Sequence, residues 1–385
     1  MSALDGYDGY DGYDGYDGYE SRKVGGGRQG GDGRAFVGAG ITTSREACFV
    51  APPQTPAPRP APGSTGPFAS RAWVHLGPDG LPEMDRSEWL ARMDGWARSQ
   101  VILSDLLGHV DLLPGPSSFS VRHRTTSAHE LICTIHRPAR AQFEAQMGLV
   151  DSWSNARMER MPEVVTQAES PYAYWGAVVN LHPEFSRSTI ELMQNSLSFC
   201  SSVLQRMKYS LVCPRPTDYS ARVQPVFAAR GFFAYPSGHA TEAFLISRLL
   251  TLLIGTPKGG GLDQQLQLLA TRIAMNRVVA GVHFPLDGIA GRVLGESLAE
   301  YLYFLATGHA AWKSRELNFG EAGGRKTDPA AAAGWDIDST VSVDKSFTSP
   351  YTLKVAGVKP ASDRTDKAVQ TPWQWLWARA QTERA

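Results

Sequence analysis

Long apolar runs are missing from this chain of 385 residues. The most apolar stretch, Ala243 to Ile254, is interrupted by Arg248 and ends at Gly255. That is well short of the roughly 20 residues a helix needs to cross a bilayer. Net charge is missing too. The 38 basic and 38 acidic residues cancel, so no overall field draws the chain to nucleic acid or to a charged membrane. Cysteine is scarce: Cys48, Cys133, Cys200 and Cys213 stand at wide, irregular spacings. They fit no zinc or redox motif and are too few for a disulfide framework, which points to buried free thiols in a reducing compartment. The opening MSALDGYDGY lacks the basic start and apolar run of a secretory signal. The expectation is a soluble, cytoplasmic protein with no transmembrane segment and no nucleic-acid partner.

Strand-like alternation is also scarce, and helical periodicity takes its place. Residues 5–19 repeat Asp-Gly-Tyr five times, and 51–67 are proline-rich. This composition predicts a disordered tail and a semi-rigid linker over 1–67. A helix is expected from Asp85, with Trp89, Met93, Trp96, Ile102 and Leu106 on its apolar side. Residues 127–160 read as helical with a break at Pro138. From Ser186 to Met207 the positions Ile190, Met193, Leu197, Cys200, Leu204 and Met207 form a stripe that must face a core, and Pro214 and Pro216 stop the helix. Further helices are expected at 238–254, 263–281 and 286–305, with loops at 112–126 and 217–235. The fold class is therefore mainly α, a helical bundle core over 68–308. The glycine- and alanine-rich text after Gly308 reads as a partly extended arm over 309–385. Its final Trp373, Trp375 and Trp377 call for a docking place on the body or on a second subunit, so a homodimer stays open.

Three short stretches carry chemistry. Pro236-Ser237-Gly238-His239 stands at the doorway of an apolar helix. A helix N-terminus offers free N–H groups and partial positive charge. Ser237 adds a hydroxyl, Gly238 lets a ligand approach the backbone, and His239 is placed to hand over a proton. Upstream, KYSLVCPRP holds Lys208 and Arg215, a point charge and a planar fork suited to a phosphate clamp. Downstream, NRVVAGVHFPLD holds Arg277 on a small apolar face, then His283, then Asp287 four residues on. A buried guanidinium calls for an anion, and the carboxylate spacing allows Asp287 to hold one imidazole nitrogen of His283. Taken singly, each stretch has a plainer reading: a serine helix cap, a solvated C-terminal charge cluster, a structural His–Asp pair.

Together, and in this order, the three motifs resemble the signature of the type 2 phosphatidic acid phosphatase and vanadium haloperoxidase superfamily. Residues 217–235 separate the first motif from the second, and 240–275 separate the second from Asn276; both gaps suit that family. The departure is Asn276, where the family usually has serine; asparagine still hydrogen-bonds, so it is expected as a supporting neighbour of the site. The resemblance covers Lys208–Asp287 closely and implies one oxyanion pocket. Lys208, Arg215, Arg277, Ser237 and the Gly238 amide would bind phosphate or vanadate. His283 would attack phosphorus, Asp287 would orient it, and His239 would protonate the leaving oxygen. The resemblance thus implies a soluble, acid-phosphatase-like hydrolase of phosphomonoesters that works through a phosphohistidine and needs no cofactor or divalent metal. The alternative is a haloperoxidase with vanadate as cofactor, His283 as its ligand and an oxidisable substrate. A non-catalytic phosphate-binding protein is the third reading. Tyr235, Phe232 and Phe233 precede the pocket serine, where packing is their plainer role and walling the site the other, and the remaining histidines show no metal-ligand spacing.

Overall fold

A computed structural model describes residues 86–124, 129–169, 172–228, 231–308, 311–322, 325–330, 351–358 and 370–384. The Asp-Gly-Tyr repeat, the proline-rich linker and Cys48 lie outside these residues. The chain divides into two units, Met1–Glu88 and Trp89–Ala385, and nearly everything described belongs to the second.

The architecture is mainly α. Helices α1 (Arg86–Arg92) and α2 (Gly95–Gly108) come first. They are two helices because Asp94 interrupts the run and caps α2, its carboxylate accepting from Trp96 N at 2.9 Å. Trp89 and Trp96 are exposed at the surface, while Ile102 and Leu106 reach the core. Strands β1 (Val110–Pro114), β2 (Ser118–Arg124) and β3 (His129–His136) follow, then α3 (Arg140–Ala145), α4 (Met147–Ser154), α5 (Arg157–Glu169) and α6 (Tyr172–Val179). The long α7 (Arg187–Leu211), the single turn α8 (Pro216–Tyr219), α9 (Gly238–Ile254), α10 (Gly261–Val279) and α11 (Pro285–Thr307) make the bundle. Strand β4 (Trp312–Asn318), a two-residue pair β5 (Glu321–Ala322) and β6 (Arg325–Lys326), strand β7 (Thr352–Val358) and helix α12 (Pro372–Thr382) complete it.

A five-stranded sheet, β1-β2-β3-β4-β7, corrects two expectations and gives the extended part of the arm its place. Residues 129–136 are a strand and not a helix. In that strand Ile132, Cys133 and Ile135 are all fully buried. A short apolar run buried on both faces has no period of two, so periodicity alone cannot separate it from a helix. Of the expected pocket loop 112–126, the described residues 112–124 belong instead to the β1–β2 hairpin, with Leu112 opposite Val121. The arm after Gly308 supplies β4, which lies parallel to β3 and antiparallel to β7, so this part of the arm is an interior strand.

Helix α9 is the axis of the bundle. Most of its length is buried, the polar Thr241, Glu242, Ser247 and Thr251 included. Its N-terminal half touches α11 backbone to backbone because α11 has glycine at 291 and 295. A Cβ at Gly291 would fall 2.8 Å from both Ala240 Cβ and Ser237 O, and one at Gly295 would collide with Thr241 O. This close approach sets Ser237 against the first turn of α11, where Ser237 N donates to Asp287 O at 2.9 Å.

Helix α12 packs on α7 and α11. Trp373, Trp375 and Trp377 are buried, and Trp373 Nε1 donates to Leu302 O at 2.9 Å. Just beyond α12, the Glu383 carboxylate accepts from Ser188 N (2.7 Å) and Thr189 N (2.8 Å), which caps the start of α7. Among the described residues, no helix is long and apolar enough to cross a membrane. Cys133, Cys200 and Cys213 are buried free thiols.

Candidate active site

Each of the three motifs sits where a helix begins or ends. Helix α7 runs one turn past the expected Met207, so Lys208 lies within its last turn. The helix closes on Val212, whose φ of 50° is left-handed, an unusual conformation for a β-branched residue. This turn sends the chain back through Cys213 and Pro214 to Arg215. There Pro216 starts α8 at its favoured first position, and Asp218 Oδ2 accepts from Arg215 N at 2.8 Å.

The backbone of residues 232–234 wraps both cations. Lys208 Nζ donates to Phe233 O (2.9 Å) and Ala234 O (2.8 Å), which uses two of its three protons. Arg215 Nε donates to Phe232 O (3.1 Å) and its Nη1 to Val282 O (2.9 Å). The Phe232 ring lies 5.5 Å from Lys208 Nζ and 4.9 Å from Arg215 Cζ, within cation–π range. Both cations are buried. Their positive charge is met by carbonyl dipoles and a ring rather than by a carboxylate in hydrogen-bond contact among the described residues, which leaves the pocket positive.

Ser237 is the N-cap of α9. Its Oγ accepts from Ala240 N at 3.5 Å, so the plainer cap reading holds and the hydroxyl proton is still available to a ligand. Gly238 and His239, in the first turn, are half-buried. The preceding Tyr235 is fully buried, and its hydroxyl donates to His136 O at 3.0 Å, so Tyr235 ties the site loop to β3 and packs behind the pocket.

At the far end of α10, Arg277 is buried and its Nη2 donates to Val164 O at 2.8 Å. Gly281, at φ 75°, turns the chain into His283. Helix α11 then starts with Pro285, and Asp287 Oδ2 accepts from Phe284 N at 2.9 Å as its cap. The same oxygen lies 3.0 Å from His283 Nδ1. One carboxylate therefore both starts the helix and orients the imidazole. With Nδ1 engaged on Asp287, Nε2 is the nitrogen left for a ligand.

The electrostatics of the pocket follow from burial and crowding. Burial drives His283 toward its neutral form, and the charges of Arg215, Lys208, His239 and Arg277 push the same way, so its pKa lies well below the usual histidine value. Burial, then Arg215, lowers Lys208, against the pull of Asp287 and Glu242. Burial raises Asp287, while the Phe284 N–H, Lys208 and Arg215 oppose it. These mutual influences place Lys208, Arg215, His239, Arg277, His283 and Asp287 in one neighbourhood, drawn from the ends of five helices. Cations buried and crowded in this way are pushed toward neutrality, and an oxyanion among them would restore their charged forms. No cluster of three histidine, cysteine or carboxylate side chains fit to hold a metal ion occurs among the described residues.

Asn276 does not face this group of side chains. Its Nδ2 donates to Glu163 Oε2 (3.0 Å) and Gln167 Oε1 (2.9 Å), both on α5. The motif reading missed α5, the carbonyls of 232–234 and Glu242, a buried acid whose pKa burial pushes up to about 8. Carbonyls leave no trace in a sequence. Glu242 had a signal, as an acid three residues after His239 within an apolar helix.

The stretch whose helix ends gather three cations and a histidine–carboxylate pair is also the stretch similar to a known family: the PAP2 superfamily model matches residues 192–308. The chain is 38% identical to an undecaprenyl-diphosphatase of Sulfolobus acidocaldarius, over 22% of this chain and 32% of that one. It is 32% identical to a vanadium-dependent bromoperoxidase of Ascophyllum nodosum, over 17% of this chain and 16% of that one. The chain thus spans about a third and about a sixth of the length of these curated relatives.

Proposed function

We propose that the protein is a phosphatase that hydrolyses phosphomonoesters through a phosphohistidine. The observation that carries this reading is the His283–Asp287 pair, at 3.0 Å, with Arg215, Lys208 and Arg277 near enough for their charges to act on His283. His283 Nε2 attacks phosphorus, forming an N–P bond as the ester P–O bond breaks. Asp287 stabilises the positive charge that develops on the ring. His239 gives a proton to the departing oxygen. A water then gives its proton back to His239 and attacks phosphorus, the N–P bond breaks, and phosphate leaves. Lys208, Arg215, Arg277, the Ser237 hydroxyl and the Gly238 N–H hold the three equatorial oxygens, where the charge of the transition state gathers. With three cations in place, the charge is neutralised without a divalent metal. Cytoplasmic location and independence of a membrane belong to this proposal too.

The bromoperoxidase relative supports a second reading. The donor set fits vanadate as well as phosphate, since both are tetrahedral oxyanions. Lys208, Arg215, Arg277, Ser237 and Gly238 would hold it, and His283 Nε2 would be its protein ligand. Bound vanadate would supply the activation of peroxide toward a halide.

The test compares two assays on the purified protein. Release of para-nitrophenol from its phosphate, inhibited by orthovanadate, supports the first reading, together with a trapped phosphohistidine that His283→Ala abolishes. Bromination of a dye that starts only on adding vanadate, with negligible phosphatase activity beforehand, overturns it in favour of the second.

A further inference from the structure

Helix α5 lies outside the residues that match the superfamily, yet it grips the site at three points. Glu163 and Gln167 accept both protons of the Asn276 amide, at 3.0 and 2.9 Å. The Val164 carbonyl accepts from Arg277 Nη2 at 2.8 Å. At the start of the helix, Arg157 Nε donates to Val279 O at 2.8 Å. Its Nη2 fills the space beside Gly281, only 2.7 Å from where a Cβ would stand. Gly281 and Val279 belong to the turn that delivers His283.

We propose that α5 is the positioning helix of the oxyanion pocket, fixing the direction of the Arg277 guanidinium through Asn276 and Val164 and the placement of the His283 turn through Arg157. The proposal rests on the oxyanion reading above. It also accounts for asparagine at 276. A serine there has one proton to give, whereas the amide has two, and here two acceptors from two successive turns of α5 must be met. Arg272 completes the device. Its Nε and Nη2 reach the two oxygens of Glu163 at 2.8 and 2.7 Å, a planar fork that fixes the carboxylate plane and so the point at which Asn276 is held. An arginine side chain carries much rotamer freedom. Pinning residue 276 and one Nη of Arg277 removes that freedom before a ligand arrives, which is how preorganised donors gain affinity.

A purely structural role for Asn276 would weaken ligand binding whether or not Arg277 is present. A positioning role acts through Arg277 and vanishes with it. Inorganic phosphate binding is therefore measured by calorimetry on the full chain with Asn276→Ala, with Arg277→Lys and with both. Lysine keeps the charge and loses the fork. We expect Asn276→Ala to weaken phosphate about tenfold when Arg277 is present and less than about twofold when residue 277 is lysine. Should Asn276→Ala fail to give a cooperative thermal melt, Gln167→Ala, which removes one acceptor only, takes its place in the same cycle. Equal weakening in the two backgrounds overturns the positioning role and leaves the pocket standing. No phosphate binding by the unsubstituted chain, or none of it lost in Arg277→Lys, overturns the oxyanion reading and this proposal with it.

Discussion

Asp287 Oδ2 stands 3.0 Å from His283 Nδ1 and, with the same oxygen, accepts the Phe284 N–H at 2.9 Å. An asparagine with its oxygen in the same place would keep both bonds, from the Phe284 N–H and from His283 Nδ1–H. What it loses is the negative charge that steadies the ring as positive charge develops on it. Asp287→Asn is thus expected to leave the melting temperature nearly unchanged. It should lower kcat by up to about 10⁴, the scale seen when asparagine replaces the aspartate behind a catalytic histidine. Steady-state kinetics alongside a thermal melt check both halves.

Oxyanion affinity should fall as pH rises. Burial and Arg215 hold the Lys208 ammonium well below the usual lysine range, and a bound anion favours the charged form. Binding therefore takes up a proton wherever free Lys208 is neutral, and affinity is fully present below its free-state pKa and lost above it. Sulfate, whose charge is constant over this range, is the probe. Its dissociation constant should rise toward tenfold per pH unit on the alkaline side. A flat profile from about pH 6 to 9 would show that Lys208 stays charged without a ligand.

The glycine seam between α9 and α11 makes a sharper prediction. Gly295→Ala places a methyl against Thr241 O, a backbone atom that cannot turn aside. Overpacking of this kind costs about 1–3 kcal/mol. Because Ser237 and Asp287 meet at the same seam, activity should drop further than the loss of folded protein explains. Activity per folded molecule, measured well below the melting temperature, separates the two effects.

Glu383 reaches Ser188 N, Thr189 N and Thr189 Oγ1. Glu383→Ala strands two N–H groups at the start of α7 and should cost about 1–3 kcal/mol, roughly 2–4 °C for each kcal/mol in a unit of this size. Burial pushes this carboxyl up, but the bonds from Ser188 and Thr189 hold it below its usual value. The stabilisation is present above the ordinary glutamate pKa and is lost as pH falls through the lowered one. Melting temperatures of the two proteins should therefore converge in acid.

The helices that build the pocket were readable because their signals are local. Ser237 before a largely apolar run marks the start of α9, and Gly255, in the left-handed conformation, closes it. The expected 263–281 and 286–305 fall within about two residues of α10 and α11. The motif residues came together because Lys208, Arg215, Ser237, Arg277 and Asp287 sit at helix ends, where caps and prolines leave marks in the sequence. The sheet was not readable. Strand β3 is buried on both faces, and its partner β4 comes from beyond the whole bundle in sequence, as the Thr134–Glu316 pairing shows. The role of α5 was hidden for the same reason: Glu163 and Asn276 meet only in the folded chain. Asn276 read as a variant serine, and only Gln167 and Glu163 explain why it is larger.

The Glu383 cap also sets a clock. Thr189 and Glu383 are 194 residues apart in sequence, and closing so long a loop costs entropy before any contact repays it. Contacts of this separation form late and slow the approach to the native state. During synthesis α7, which carries Lys208 at its other end, emerges long before the carboxylate that finishes its first turn. The pocket's leading helix stays open at one end until nearly the whole described chain is made, so refolding from denaturant should recover bulk helicity before it recovers the pocket.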